Sequence, residues 1–367
     1  MKIKRMMAYQ VDLPLHEGTY KWSGGKSVEV FDSTIIAVET DDGHIGYGEC
    51  CPLGPFYLPA YGNGVRAGIK EIGPHLIGEN PLESMKLNQL MDKCLKGHPY
   101  VKSPIDIACW DIKGQVTRMP ICEMLGGRYG KDFVLYRAIS QMEPEAMAAN
   151  VQKYRDEGYQ RFQLKVGGNA NEDIERIKLA SAVLKSGDKL IADANTGWLM
   201  HEAVRVVKAV HDIDVYIEQP CETYEECLSI RKKTSHPFIL DEVINDANIL
   251  VRGHADRAMD AVNIKISKFG GLTKAALARD LCVELGIAMT IEDSWGGDIT
   301  TAAIAHLAHS TPTDFLFTAT DFNSYVTVST ADGAPKRNKG RMSASKDSGL
   351  GVKPKMDILG DPIFEIK

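Results

Sequence analysis

Seven apolar runs in the sequence end on a residue able to carry charge: Lys165, Asp193, Glu218, Asp241, Lys265, Asp293 and Asp321. Asp193, Glu218 and Asp241 close successive runs. If those runs are neighbouring strands, three carboxylates share one arc, where they raise each other's pKa unless a divalent cation neutralises them. An all-oxygen, carboxylate-rich site suits Mg²⁺, with Mn²⁺ as the other candidate. One acid alone would be explained as a helix cap or the partner of a basic side chain; three in succession fit a metal better.

Lys165 and Lys265 close the second and sixth runs, four apart in a ring of eight. Two amines facing each other across a cation are placed to act as base and acid on the two faces of one carbon. Neighbouring positive charge draws a lysine pKa down towards neutrality. The chemistry that results is proton abstraction beside a carboxylate, with the developing enediolate stabilised electrostatically. A proton returned from the far face racemises or epimerises the substrate, whereas departure of a β-hydroxyl dehydrates it. A lysine that pairs with an acid or reaches solvent is the plain alternative for either residue alone.

Strands must hold these groups. Apolar runs recur at "FVLYRAIS", "RFQLKV", "KLIADA", "DVYIEQ", "PFILDE", "AVNIKIS", "IAMTIED" and "DFLFTATD", roughly 25 to 30 residues apart with amphipathic stretches between, as a parallel β/α barrel requires. The expected fold class is α/β: a (β/α)8 or modified (β/α)7β TIM barrel over residues 128–325, with its strand C-termini converging on one catalytic face. Residues 1–127 begin with the strands "KIKRMMAYQVDLP" and "STIIAVETDDGHIGYGEC", joined through a "TDDGHIG" hairpin signal. Helical patterns follow in "GVRAGIKEIGPHLI", "PLESMKLNQLMDKC" and "SPIDIACWDIKGQVT", the last expected to start at Ser103 and Pro104. This order describes an N-terminal α+β capping domain, and the loop-like residues 326–367 are expected to return to it.

Composition removes several alternatives. The 367 residues carry a net charge of −6, with 44% hydrophobic and 25% charged residues, so no nucleic-acid footprint or membrane-binding surface stands out. The opening "MKIKRMMAYQVDLPL" lacks the apolar core of a signal peptide, and a cytoplasmic protein is expected. Eight cysteines, among them the adjacent Cys50 and Cys51, show neither CxxC nor zinc spacing, which suits buried, reduced thiols. No HExxH, GxSxG, GxxxxGK[ST] or strand-linked GxGxxG is present, so zinc hydrolase, serine hydrolase, P-loop and dinucleotide-binding chemistry lack support.

The motifs "QLKVGG", "ADANTGW", "IEQP", "LDE" and "NIKISKFGG", in this order and spacing, resemble the enolase superfamily, specifically its muconate lactonizing enzyme subgroup, along essentially the whole chain. The resemblance implies Mg²⁺ at Asp193, Glu218 and Asp241, catalysis by Lys165 and Lys265, and cap loops that close over the substrate. Those loops would be near "HEGTYKWSGG", with Tyr20 and Trp22, and "CPLGPFYLPAYG", with Phe56 and Tyr57. Asn195, beside Asp193, joins the implied substrate contacts, and a homo-oligomer is expected. The family commonly has Lys-x-Lys at the second strand, but this chain has Gln163 before Lys165, a neutral amide that removes one electrostatic reason for a low lysine pKa.

Substrate choice is expected from "IEDSWGGDIT", with Asp293 and Trp295, and "TATDFNSY", with Asp321. Acids there suit a substrate ammonium while the metal takes the carboxylate. Dipeptide epimerases of the family carry Asp-x-Asp at the last strand, and "TATDFN" has one acid; lactonised dicarboxylates have no ammonium. The Gln-x-Lys form, together with "CPLGP" and "WGGDI", resembles the family's enzymes of proline analogues. A quaternary ammonium is best held by an aromatic cage, a secondary ammonium by a carboxylate such as Asp321. The expected reaction is therefore dehydration of cis-3-hydroxy-L-proline to 1-pyrroline-2-carboxylate with competing 2-epimerisation. The alternative is 2-epimerisation of hydroxyproline betaine or proline betaine, or another amino acid racemisation of the subgroup. A sugar-acid dehydratase would want a histidine near "IEDSW", where there is none, and the retained lysine pair speaks against a non-catalytic binding role.

Overall fold

The chain opens as an antiparallel sheet. Strands Ile3–Pro14, Val30–Thr40 and Ile45–Cys50 pair in that order in the computed structural model, which describes residues 1–367. The expected hairpin forms at Thr40–His44, with Gly43 at φ 89°, a conformation that costs glycine little. One face of the sheet, including Met6, Ala8, Ile36 and Val38, is buried in a cluster with residues of helices Gly62–Ile72, Ser84–Cys94 and Pro99–Thr117. Gly48 permits the closest approach: a Cβ there would stand 1.9 Å from the Pro104 carbonyl oxygen. The third helix starts at Pro99 rather than Ser103, so Pro104 lies inside it. Pro99 takes a position where a missing N–H costs nothing, and burial of Tyr100, Val101 and Lys102 carries the helix back by one turn.

Eight parallel strands follow, here called the first to eighth: Arg137–Ile139, Arg161–Lys165, Lys189–Asp193, Val215–Glu218, Phe238–Leu240, Ala261–Lys265, Ala288–Glu292 and Leu316–Ala319. Each pairs with the next, and the sheet curls until Leu135 bridges Ala319 and the Tyr136 amide donates to the Ala319 carbonyl at 2.9 Å. Helices run between consecutive strands from Pro144–Asp156 to Asp298–His309, and the eighth strand is followed only by the turn Phe322–Ser324. Of the two barrel forms expected, the structure is (β/α)7β.

Ile191, Ile239 and Ala261, flanked by Tyr216, Ala288 and Phe317, form a small apolar cluster from the third to eighth strands. Side chains alternate along a strand, so two residues further on the same faces carry Asp193, Glu218, Asp241, Asn263 and Thr290. The chain finishes as strand Phe364–Ile366, paired with Met6–Ala8 of the N-terminal sheet. Buried cap acids also reach barrel helices. Glu49 accepts the amides of Gly297 and Thr300 at 2.8 Å each, and Asp106 that of Thr273 at 2.9 Å, at the N-termini of helices Asp298–His309 and Leu272–Leu285. No helix is long and apolar enough to cross a membrane.

Candidate active site

The second, third and fourth strands are in register at their ends, with Lys165 paired to Asp193 and Asp193 to Glu218. Lys165 Nζ donates to Asp193 Oδ2 at 2.5 Å. Gln163 Nε2 lies 3.1 Å from each oxygen of Glu218, and Asn263 Nδ2 donates to Glu218 Oε1 at 2.7 Å. Asp241 follows the fifth strand and accepts from Lys265, while Lys268 Nζ reaches its carboxylate at 3.0 Å and its carbonyl at 2.5 Å. From the cap, Tyr57 hydroxyl accepts from Lys265 at 2.6 Å and donates to Asp241 Oδ2 at 3.1 Å. Lys165 and Lys265 line one cavity.

No group of three or more His, Cys, Asp or Glu side chains is gathered at metal-ligand separation, and ammonium groups sit on Asp193 and Asp241 instead. The residues nevertheless fit a hard dication. Asp193, Glu218 and Asp241 are buried oxygen donors from consecutive strands. Burial, then repulsion from Asp193 and Asp241, pushes Glu218 well above the carboxylate range, a penalty that a cation removes. Glu242 is raised to about 7 by burial and by Asp241 and Asp193, and its Oε2 is buried without a hydrogen-bond partner. Asn195, whose Nδ2 donates to Glu242 at 3.0 Å, likewise leaves its Oδ1 unpartnered beside the cavity.

Both lysines are held above the ordinary amine range. Burial favours the neutral form, but Asp193, Tyr20 and Glu218 outweigh it at Lys165, and Asp241 and Glu292 do so at Lys265. This is opposite to the fall expected from the sequence, because here acidic groups dominate the local field. A dication bound among them would invert its sign.

The remaining expected contacts divide. Tyr20, Trp22, Tyr57, Gln163, Asn195 and Trp295 line the cavity. The Trp22 loop is seated on the barrel: Ser23 Oγ donates to the Asn195 carbonyl at 3.0 Å, and the Gln141 amide to that of Lys21 at 2.9 Å. Phe56 does not line the cavity; it is 50% exposed and stacks outside on Trp22, with centroids 5.8 Å apart. Asp293 borders the cavity, but its carboxylate is tied to Ser267 N and Oγ and to Ser294 N at 2.7–2.9 Å. Asp321 is not a cavity residue. It accepts from the Tyr159 hydroxyl at 3.3–3.4 Å, because the strand ends at Ala319 and the chain then turns at Phe322–Ser324.

Two titratable cavity residues were missed. Glu292, at the end of the seventh strand, is the register partner of Lys265 and lies 3.5 Å from its Nζ. Tyr136, from just before the first strand, donates its hydroxyl to Glu292 Oε2. Alternation was the available signal: Glu292 shares a face with Thr290 and Ala288, while Asp293 does not.

Comparison with known proteins agrees with this architecture. Residues 25–126 match the mandelate racemase / muconate lactonizing enzyme N-terminal domain, and residues 146–358 the enolase C-terminal domain-like family. A cis-3-hydroxy-L-proline dehydratase of Roseibium aggregatum is 61% identical over 99% of both chains. An N-succinyl-L-Arg/Lys racemase of Bacillus cereus is 30% identical over 84% of this chain and 85% of its own. A mandelate racemase/muconate lactonizing enzyme structure from Roseovarius nubinhibens complexed with magnesium superimposes with TM-score 0.97 at 34% identity, covering 100% of both chains. The chain belongs to the mandelate racemase/muconate lactonizing enzyme branch of the enolase superfamily.

Proposed function

We propose that this protein dehydrates cis-3-hydroxy-L-proline to 1-pyrroline-2-carboxylate. The observation that carries the proposal is the 61% identity, over almost the entire length, to a dehydratase of that substrate. The two lysines on strands four apart, facing one cavity, supply fitting chemistry.

In this mechanism the substrate carboxylate sits against Asp193, Glu218 and Asp241, where bound Mg²⁺, or Mn²⁺, would offset the negative charge that develops on it. One lysine, as the neutral amine, takes the C2 proton on its Nζ. The electron pair left at C2 forms the C2=C3 double bond as the C3–O bond breaks, and the hydroxyl leaves as water with a proton from an ammonium. For a syn elimination the same lysine can supply it. The resulting enamine tautomerises to the imine. Tyr20, Trp22 and Tyr57 exclude water from above.

Proton return to C2 by the opposite lysine gives 2-epimerisation. The opposed lysine pair favours this as a second activity, and the related racemase supports it. The proposal includes a cytoplasmic homo-oligomer acting on a proline analogue, with no nucleic-acid or membrane partner.

Proton NMR in D₂O with Mg²⁺ tests the reaction. Conversion of cis-3-hydroxy-L-proline to the pyrroline carboxylate, abolished by EDTA and restored by Mg²⁺, is expected. Inversion and deuteration of hydroxyproline betaine, with the free imino acid untouched, would replace dehydration by betaine epimerisation.

A further inference from the structure

The acids near the seventh and eighth strand ends differ in what they are free to bind. Asp293 is committed to three donors from Ser267 and Ser294, and Asp321 faces Tyr159. Glu292 borders the cavity with one oxygen taken: Oε2 accepts from Tyr136, whereas Oε1 accepts no hydrogen bond and has Lys265 Nζ at 3.5 Å.

We propose that Glu292, oriented by Tyr136, receives the ring ammonium of the substrate and selects a secondary ammonium over a quaternary one. This rests on the proposed dehydration of an imino acid. The nitrogen and the transferred proton are both attached to C2. Lys265 and Glu292 are register partners on adjacent strands, about 4.8 Å apart, so a C2 that presents its face to Lys265 brings its nitrogen towards Glu292. A buried carboxylate with one oxygen that accepts no hydrogen bond can take an N–H of a secondary ammonium. A quaternary ammonium brings methyl groups instead, leaving that oxygen desolvated and unpaired. Trp295, the large aromatic of this wall, already stacks on Phe31 at 4.0 Å and on Phe322 at 4.9 Å, and so is poorly placed to serve as an open cage face.

Calorimetric titration of the Mg²⁺-loaded protein with L-proline, L-proline betaine and tetrahydrofuran-2-carboxylate tests the assignment, because these probes differ at the ring heteroatom. Wild type should prefer L-proline. Glu292→Gln should weaken L-proline by about 10- to 100-fold, as expected for a lost charged hydrogen bond, while leaving the other two within a few-fold. Tyr136→Phe, which keeps the carboxylate but loosens it, should reduce the preference by less; it carries the test if Glu292→Gln does not fold. Equal weakening of all three probes, or an unchanged preference in both variants, overturns the assignment. A wild type that binds the betaine as tightly as L-proline overturns it too. Failure of wild type to dehydrate cis-3-hydroxy-L-proline, with Glu292-dependent L-proline binding intact, would sink the reaction and leave the ammonium subsite standing.

Discussion

Gln163 and Glu218 face each other across the barrel interior, with the amide nitrogen 3.1 Å from both carboxylate oxygens. Gln163 thus holds Glu218 without adding charge, and Lys165, two residues further on the same strand face, has a neutral amide rather than a cation at the preceding position of that face. Gln163→Lys should place an ammonium between Glu218 and Lys165. The Lys165 pKa then falls, so the acid limb of the kcat/KM profile moves to lower pH, while the new cation competes with Mg²⁺ and raises the concentration needed for half-activation. A pH–rate series at saturating Mg²⁺ checks this, and an acid limb that stays fixed or rises would refute it.

On the proposed mechanism the lysines separate the two reactions. Syn dehydration can run through one of them, whereas 2-epimerisation needs a proton taken on one face and delivered on the other. Replacement of either Lys165 or Lys265 by Ala should abolish epimerisation. The variant lacking the base should lose about 10²- to 10⁴-fold in dehydration. Exchange of the C2 proton of L-proline in D₂O should survive in one variant only, and NMR identifies which. Survival in both would mean that neither lysine is the unique base for the L-isomer.

Glu49 belongs to the cap yet closes the first turn of barrel helix Asp298–His309, which follows the Trp295 loop. Glu49→Ala leaves the amides of Gly297 and Thr300 buried without their acceptor, at a cost of about 2–3 kcal/mol. The urea midpoint should fall accordingly, and Glu49→Gln, which retains an acceptor oxygen, should recover part of it. Equal loss in both variants would assign the effect to charge instead.

His306 introduces a pH dependence far from the cavity. Its ring accepts the Cys122 amide at 3.2 Å and lies 3.0 Å from the Leu350 carbonyl, and burial pushes its pKa from 6.5 down to about 4. The folded state therefore favours the neutral ring. Its contribution is intact above the unfolded pKa and is lost as pH falls from 6.5 through 4, amounting to about 3 kcal/mol at the acid end. Urea midpoints between pH 7 and 4.5 should decline less steeply in His306→Asn than in wild type. Parallel slopes would exclude His306 as the source.

The barrel was legible because its apolar runs recur at an even spacing, and because Lys165, Asp193, Glu218, Asp241 and Lys265 all stand at or beside the ends of strands. The two late acids were harder to place, since an apolar run does not tell its last inward position from the first residue beyond it. Asp293 is one residue past the inward-facing Glu292, a shift that reverses the face. Asp321 follows a strand of four residues that runs straight into a turn, where alternation no longer applies. Tyr136 carried no charge signal, and its role depends on closure of the barrel between Leu135 and Ala319, a long-range contact without a local signature.

Asp321 therefore offers a direct comparison between a nearby acid and an acid that faces the cavity. Its carboxylate is buried against Tyr159, and burial raises its pKa despite the opposing influence of Arg137. Asp321→Asn keeps an oxygen to accept from Tyr159 and changes nothing that lines the cavity. KM for cis-3-hydroxy-L-proline should therefore shift by less than about threefold, with kcat retained, since no interaction with substrate has been removed. The same assay on Glu292→Gln should show KM rising by about tenfold or more. A large rise in Asp321→Asn with Glu292→Gln unaffected would return ammonium recognition to the eighth strand, and would require the chain after Ala319 to turn towards the substrate when the site is filled.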